Sequence, residues 1–90
     1  MRNQINARGV QHLASSVNLS SLTHLNLDSN RVGDEGAAAL ASSIQLGGLI
    51  YLSLRAARIT GHGAFKLENS RTLEHLRHLD LSSNPATGYH

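Results

Sequence analysis

The sequence predicts an α/β fold built from repeated units, each with one short strand and one helix. Two observations predict it. A motif of the form Leu-x-x-Leu-x-Leu recurs three times at intervals of 27 residues, and an apolar pattern with helical spacing lies between successive copies at the same interval. Because so many positions match at one interval, tandem structural repeats explain the pattern better than coincidence. The motif occupies residues 22–27, 49–54 and 76–81.

The strand of each unit lies inside the leucine motif. In the first copy, Leu25 and Leu27 alternate with polar residues, so both leucines face one side of an extended segment. His24, Asn26 and Asp28 then face the other side. The three copies therefore predict three strands, each with an apolar side for the core and a polar side for solvent.

The helix of each unit follows its strand. Ala37, Leu40, Ala41 and Ile44 stand at positions i, i+3, i+4 and i+7, which places them on one stripe of a helix. Neither the strand nor the helix can bury its apolar side alone. Each unit is therefore expected to pack against its neighbours in the repeat.

Several residues mark the start of these helices. Asp34 and Glu35 stand where exposed N–H groups and the helix dipole favour negative charge, and Thr60 is suited to cap the next helix. Gly36 and Gly63 share one position of the repeat, and we expect a structural role for both, either a positive φ or a close backbone approach. A phosphate-binding loop is not expected, because the third glycine and the preceding strand of that motif are missing.

Asn30 and Asn84 occupy the position after the strand, where the chain must turn. The backbone groups of a buried turn need hydrogen-bond partners, and a short amide side chain supplies them. We therefore expect a structural role for both asparagines. Ala57 occupies the same position of the middle unit and interrupts the series.

The middle unit departs from the pattern again in its helix. Glu68 and Arg71 replace residues that are apolar in the other units. A charge that faces the core is costly unless it is paired. We therefore expect this helix to be short, shifted or frayed after Leu67.

These units resemble a known family. The segment LTHLNLDSNRVGDEGAAALASSI is similar to leucine-rich repeats of the ribonuclease-inhibitor-like type, and the string GAAALA at residues 36–41 also resembles the GALA leucine-rich proteins of plant-pathogenic bacteria. The resemblance implies a right-handed solenoid, a horseshoe segment of about three 27-residue repeats, with short parallel strands on the concave face and helices on the convex face. It also implies that the activity is protein binding, and that Asn30 and Asn84 bond to the backbone of the neighbouring turn.

The polar strand positions form three rows across the predicted concave face. Tyrosine and arginine are enriched among the residues that dominate binding energies, so this face is the candidate partner-binding surface. The alternative is that these are ordinary solvated strand residues. The rows are His24, Tyr51 and His78; Asn26, Ser53 and Asp80; and Asp28, Arg55 and Ser82.

Metal binding and catalysis are not expected on this face. His24 and His78 lie two strands apart, about 10 Å at ~4.8 Å per strand, with Tyr51 between them, which does not suit one metal ion. His78, Asp80 and Ser82 combine residue types found in hydrolases, but alternate residues of a strand lie ~6.6 Å apart, too far for direct contact. Asp28 and Arg55 are neighbours in one row, and we expect them to pair across the strands.

Composition narrows the classes of function further. The 90 residues contain no cysteine, which excludes disulfides and thiolate metal sites. The net charge is only +2 and the basic residues are scattered, so nucleic-acid binding is not expected. No apolar stretch approaches the ~20 residues of a membrane span, and no signal peptide is evident. We expect no cofactor, no metal and no enzymatic activity.

The register also predicts how the chain is organised. The third strand is followed by no helix segment, and the edge strand Leu76–Leu81 offers a template for pairing with another chain. We therefore expect either a fragment of a longer array or self-association into a homo-oligomer. The single expected domain, residues 1–90, divides into segments 1–21, 22–48, 49–75 and 76–90.

Two functions are compatible with these features. The first is a protein-interaction module that binds another protein through its concave strand face. The alternative is a structural spacer, or a fragment of a longer leucine-rich-repeat receptor, inhibitor or ubiquitin-ligase adaptor. The residues do not fix the compartment. A cytoplasmic location is favoured, or delivery into a host cell in the case of a bacterial effector.

Overall fold

Three helices alternate with three short strands in the computed structural model, which describes residues 6–15 and 21–85. This alternation confirms the predicted α/β class. A single turn of 3₁₀ helix, Ile44–Leu46, follows the second helix. The elements are α1 (Ala7–Ala14), β1 (His24–Asn26), α2 (Gly33–Ala41), β2 (Tyr51–Ser53), α3 (Gly61–Glu68) and β3 (His78–Asp80). The first and last predicted segments, 1–21 and 76–90, lie partly outside the described residues.

The strands form one parallel sheet in the order β1-β2-β3. His24 pairs with Tyr51, and Tyr51 pairs with His78, so each step across the sheet is 27 residues along the chain. The ladder continues past the strand ends, because the N–H of Leu54 donates to the carbonyl of Asp80 at 2.8 Å. The register of the sheet therefore follows the interval of the leucine motif.

An aliphatic core lies between the sheet and the helix layer, in which α2 packs between α1 and α3. Leu40 of α2 and Leu52 of β2 have no exposed surface, and neither has Leu54 just after β2. Burying such a side chain contributes ~1.5–3 kcal/mol. The middle of the core is thus built from two successive units, segments 22–48 and 49–75.

The predicted structural glycines are explained by close packing. A Cβ atom on Gly36 would lie 2.6 Å from Cγ1 of Val32, and one on Gly63 would lie 2.8 Å from Cγ2 of Ile59. Among the described glycines, the one with a positive φ is Gly33, at 67°. Gly36 and Gly63 therefore have the structural role that we expected, but the reason is the close approach of neighbouring side chains and neither a positive φ nor a close backbone approach.

All three helices end at the same position of the repeat, at Ala14, Ala41 and Glu68. The third helix thus stops one residue after Leu67, as expected, but its charged residues are not the reason, because the other helices stop there too. A hydrogen-bonding side chain follows each helix: Ser15, Ser42 and Asn69 each bond to the carbonyl four residues earlier. These side chains add a donor near each helix end, and the carbonyls of Ala38 and Phe65 also accept the backbone N–H groups of Ser42 and Asn69.

Ile44 does not lie on the buried helix stripe that its spacing predicts. Helix α2 ends at Ala41, and the side chain of Ile44 is 77% exposed in the following 3₁₀ turn. Its place in the core is taken by Leu46, which is fully buried. The helical periodicity therefore describes the first two turns of the segment and fails beyond them.

Candidate binding face

The polar side of the sheet, called the open face below, carries the nine residues predicted for partner binding. The parallel register brings them into rows, as expected from the 27-residue interval. The structure changes the accessibility and the bonding of several of them. They are His24, Asn26, Asp28, Tyr51, Ser53, Arg55, His78, Asp80 and Ser82.

The first row is a stack of three aromatic rings. The ring centroids of His24 and Tyr51 lie 5.6 Å apart, and those of Tyr51 and His78 lie 4.8 Å apart, with interplanar angles of 19° and 3°. The ~4.8 Å spacing of strands in a sheet suits such stacking. Both histidines are exposed and Tyr51 is partly exposed. The row therefore presents three polar ring systems to solvent on a fixed spacing.

Ser53, in the second row, is not available to a partner. Its residue surface is 1% exposed, and its hydroxyl donates to Oδ1 of Asp28 at 2.6 Å. The expectation that Ser53 contributes to a binding surface is wrong. It lies on the central strand, and the hydrogen bond to a carboxylate from the neighbouring turn holds its hydroxyl inside the sheet. Asn26 in the same row remains exposed, and its Oδ1 accepts the N–H of Asp28 at 2.9 Å.

The expected ion pair between Asp28 and Arg55 is also wrong. Oδ1 of Asp28 accepts the backbone N–H of Arg55 at 2.8 Å. The guanidinium of Arg55 reaches the opposite neighbour, with Nε 4.0 Å from Oδ2 of Asp80. Each of the two carboxylates accepts a hydroxyl and a backbone N–H through its Oδ1, and the Arg55 side chain lies on the Asp80 side of the row. This exposed pair contributes only ~0–1 kcal/mol.

Asp80 and Ser82 are in direct contact, contrary to the expectation for an extended strand. The Ser82 hydroxyl donates to Oδ1 of Asp80 at 2.7 Å, and the Ser82 N–H donates to the same oxygen at 3.0 Å. The reason is that β3 ends at Asp80 and the chain then turns. Hydrogen bonds from the Ser82 side chain and backbone lower the pKa of Asp80, and Arg55 and His78 act in the same direction.

These contacts do not have the order of a catalytic triad. In a triad, the serine hydroxyl gives its proton to an imidazole, which a carboxylate orients. Here the hydroxyl of Ser82 donates to the carboxylate of Asp80. Within residues 6–15 and 21–85, no group of three or more histidine, cysteine or acidic residues is arranged to hold a metal ion. In the same part of the chain, no helix is long and apolar enough to cross a membrane.

Asn84 joins the turn after β3 to the turn after β2. Its Oδ1 accepts the N–H groups of Ala57 and Ile59 at 2.8 and 3.0 Å, and its Nδ2 donates to the carbonyl of Leu54 at 2.7 Å. Asn30 also lies buried, and its Nδ2 donates to the carbonyl of Leu27 at 3.0 Å. Both asparagines thus bond to turn backbone, and both side chains lie inside the fold and not on the open face.

Asp34 forms a link between helices that sequence patterns did not reveal. We expected it to serve the start of its own helix α2. Its Oδ1 instead accepts the N–H groups of Thr60 and Gly63 at 2.8 and 3.1 Å, at the start of α3, and its Oδ2 accepts the Thr60 hydroxyl. Thr60 caps α3 as predicted, accepting the N–H of His62 at 3.4 Å. The sequence held one signal, because the 27-residue interval aligns Asp34 with Gly61, the first residue of α3.

The electrostatics of Asp34 follow from these contacts. Burial alone would raise its pKa. The hydrogen bonds from the Thr60 side chain, the Thr60 N–H and the Gly63 N–H outweigh that effect, with the nearby His62, and the pKa of Asp34 is lowered. The carboxylate therefore stabilises the folded state when it is ionised.

Replacing Asp34 by alanine is expected to lower the free energy of unfolding by ~0.5–2 kcal/mol at pH 7, the range for a lost helix cap. Since the folded-state pKa lies below the unfolded one, this stabilisation is present above the unfolded value of about 3.9 and is lost as pH falls through the folded value. Urea unfolding followed by circular dichroism at pH 7 and pH 2.5 measures both effects.

Glu35→Ala is the matched control for this experiment, because Glu35 is the exposed acid next to Asp34 in the same helical turn. A surface substitution of this kind changes stability by about 0.5 kcal/mol or less. An equal loss in both variants would refute the inter-helix cap. A loss for Asp34→Ala that stays constant down to pH 2.5 would refute its dependence on ionisation.

Comparison with known families gives one match in two parts. A family model described as Leucine Rich repeat matches residues 18–41 and 72–85. The first match contains β1 and α2, and the second contains β3 and Asn84. No curated protein matches the sequence. The matches support a leucine-rich repeat protein, as the sequence pattern predicts. The stretch between them contains Ala57, where the other two units have asparagine.

Proposed function

We propose that this chain is a protein-interaction module and that its partner binds the open face. Leucine-rich repeats generally mediate protein–protein interactions and are typically not enzymes, which supports the proposal at the level of the family match. The observation that carries it is the exposed row of His24, Tyr51 and His78, stacked across all three strands. A rigid aromatic row loses little conformational entropy when a partner binds, since its rings are already held in place.

The proposal assigns distinct tasks to the residues of the open face. His24, Tyr51, His78 and Arg55 make direct contact with the partner. Asp28 holds the turn after β2 through the Arg55 N–H, and Asp80 and Ser82 position the Arg55 side chain from the neighbouring strand. Ser53 supports the face from inside the sheet. These tasks follow the observed hydrogen bonds and the exposure of each side chain.

The same proposal extends to the architecture of the chain. We take segments 22–48 and 49–75 as repeats of a horseshoe of the ribonuclease-inhibitor-like type, in which the open face is the concave side. The parallel strand order and the 27-residue register support this arrangement. The hydrogen bonds of Asn84 to Ala57 and of Asp34 to Thr60 support it as well, because the first joins equivalent positions of successive units and the second joins positions that differ by one residue in the register.

Replacing Tyr51 by alanine is expected to weaken partner binding about 30-fold or more, as for a central hot-spot aromatic residue. The measurement uses the immobilised chain as bait and compares, by quantitative mass spectrometry, the proteins captured by the wild type and by the Tyr51→Ala variant. Arg55→Glu is expected to reduce capture of the same proteins. Circular dichroism establishes that each variant is folded.

Phe65→Ala is the control, because Phe65 is an aromatic residue 65% exposed on α3, away from the sheet. It should leave capture unchanged. Equal capture by the wild type and by a folded Tyr51→Ala variant would refute the open face as the binding surface. A loss of capture in Phe65→Ala alone would place the surface on the helices instead.

A further inference from the structure

The central ring of the open face has both of its flat sides covered. His24 stacks on one side of Tyr51 at 5.6 Å and His78 stacks on the other at 4.8 Å. A partner therefore meets the edges of the three rings. The hydroxyl of Tyr51 has no hydrogen-bond partner in the described part of the chain. A phenol donates through its O–H and a neutral imidazole through its one N–H, so the row offers a line of donor groups.

The two outer rings are spaced like residues one turn apart in a polyproline II helix. His24 and His78 are two strand steps apart, about 10 Å at ~4.8 Å per step. A polyproline II helix has three residues per turn and rises ~3.1 Å per residue, so residues i and i+3 lie on the same side, about 9 Å apart. In a β-strand, residues three apart point to opposite sides. A polyproline II segment that crosses the strands therefore matches the row, and a β-strand in the same place does not.

The backbone of such a helix complements the donor groups of the row. Its carbonyls make no hydrogen bonds within the helix, and proline has no backbone N–H. A proline-rich segment therefore presents acceptors to the Tyr51 hydroxyl and to the imidazole N–H groups. Aromatic surfaces recognise such segments in many complexes, because the helix is already formed before it binds and loses little conformational entropy.

Asp28 places an unpaired negative charge beside the row. Its Oδ1 accepts the Ser53 hydroxyl at 2.6 Å and the Arg55 N–H at 2.8 Å, whereas its Oδ2 has no partner among residues 6–15 and 21–85. The guanidinium of Arg55 pairs with Asp80. One arginine and two aspartates give the open face a net charge of −1, although the whole chain carries +2 with neutral histidines. The face therefore favours a cationic group, and Asp28 is the carboxylate left to bind it.

The Asp28 carboxylate lies within reach of a residue in the middle of the bound helix. It bonds to the hydroxyl of Ser53, which follows Tyr51 by two residues, ~6.6 Å along the strand. Side chains of a polyproline II helix are a third of a turn apart. When residues i and i+3 face the rings, one of the two residues between them points along the strands toward Asp28. A lysine or arginine there reaches the carboxylate, and Arg55 lies away from it on the Asp80 side.

We propose that the open face binds a proline-rich segment of a partner protein in the polyproline II conformation, with a basic residue beside Asp28. One turn of this helix crosses the three strands, with residues i and i+3 over His24 and His78 and the backbone over Tyr51. This inference rests on the proposed function of the open face and names the class of partner.

The test is an NMR titration of the ¹⁵N-labelled chain at pH 7.5 with acetyl-Pro-Pro-Arg-Pro-Pro-Pro-amide. In this peptide the arginine stands next to the residue over His24 whichever way the helix runs. We expect binding, with shift changes centred on Tyr51. The peptide acetyl-Gly-Ser-Arg-Gly-Ser-Gly-amide has the same charge but is flexible. It should bind at least about fivefold more weakly, because it must be ordered on binding.

A second peptide tests the cationic residue. Acetyl-Pro-Pro-Gln-Pro-Pro-Pro-amide keeps the helix and removes the positive charge. Its affinity for the wild type should be about two- to fivefold lower, the range for one exposed ion pair.

Variants of the chain locate the binding site. Asp28→Asn keeps Oδ1 as an acceptor and removes the charge, so it should bind the arginine and glutamine peptides equally. Tyr51→Ala should bind the arginine peptide about tenfold more weakly or worse. Glu35→Gln is the matched control for Asp28→Asn, since Glu35 is an exposed acid on α2 and its loss should leave the affinity unchanged. The spectrum of each variant reports whether it is folded.

Three results would overturn the inference. The first is that the proline-rich arginine peptide does not bind the wild type, and the second is that it binds no more tightly than the glycine-serine peptide. The third is equal affinity of the wild type for the arginine and glutamine peptides. The comparisons of peptides use the wild type alone, so they hold even if Asp28→Asn fails to fold.

The outcomes also separate this inference from the proposed function. If the proline-rich peptide does not bind while Tyr51→Ala still loses its captured proteins, the proline-rich partner is refuted and the binding face stands. If a folded Tyr51→Ala variant captures the same proteins as the wild type, the binding face is refuted. In that case the proline-rich partner falls with it.

Discussion

The Leu52→Ala variant is expected to lose ~2–5 kcal/mol in free energy of unfolding, the range for large-to-small substitutions in a core. Leu52 is the middle residue of β2, the central strand, and none of its surface is exposed. It pairs with Leu25 on one side and Leu79 on the other. Because the sheet and helix layer enclose it from all sides, little collapse can fill the cavity that its removal leaves.

Urea unfolding followed by circular dichroism measures this loss of stability. Two further variants test whether the loss comes from the central position of Leu52 in the core. Leu79→Ala removes the same side chain from the outer strand β3, where the residue is only half-buried, so its loss should be smaller. Small single domains are stable by only ~5–15 kcal/mol, so Leu52→Val gives a milder variant if Leu52→Ala fails to fold. An equal loss at Leu52 and Leu79 would contradict the central position of Leu52 in the core.

The Asn84→Ala variant is expected to lose a comparable amount, ~2–6 kcal/mol. Two backbone N–H groups, of Ala57 and Ile59, donate to its Oδ1 from buried positions. Each would be left without this acceptor, and a buried donor without a partner costs ~1–3 kcal/mol. The carbonyl of Leu54 would lose a donor as well. A single buried side chain therefore holds two successive turns together.

The comparison that tests this role is Asn26→Ala. Asn26 is exposed, and its side chain accepts one local hydrogen bond, from the N–H of Asp28. The Asn26→Ala substitution should lower the free energy of unfolding by about 1 kcal/mol or less, the usual net contribution of one hydrogen bond. Asn84→Asp keeps the acceptor oxygen and loses the donor, so its stability at pH 7 should lie between those of the wild type and Asn84→Ala. If Asn84→Ala were as mild as Asn26→Ala, the turns would be held by other contacts.

Much of the fold was predictable because its determinants are local and periodic. The alternation of Leu25 and Leu27 with polar residues identifies a strand, and the spacing of Ala37 and Leu40 identifies a helix. The interval of 27 residues then aligns one strand with the next. The prediction failed at Ile44, where the helix period continues in the sequence after the helix has ended. The chain leaves the helix after Ala41 and forms a 3₁₀ turn that carries Ile44 to the surface.

The candidate site was predictable in its rows and less so in its bonding. The alignment of His24, Tyr51 and His78 follows directly from the repeat interval. The burial of Ser53 does not, because it depends on a carboxylate from the neighbouring turn. The choice of Arg55 between Asp28 and Asp80 is of the same kind, since both acids flank it in the sequence pattern and only the folded geometry places its side chain near Asp80.

The amino-acid pattern alone is therefore enough for the element types, the repeat interval and the strand register, since each rests on a period that the chain carries in its own order. The links between units depend on the folded geometry. Asp34 bonds to Thr60 across 26 positions, and Asn84 to Ala57 across 27. Such bonds form where a donor and an acceptor come within ~3 Å of each other. That proximity is created by the packing of neighbouring units and is not encoded in any local pattern.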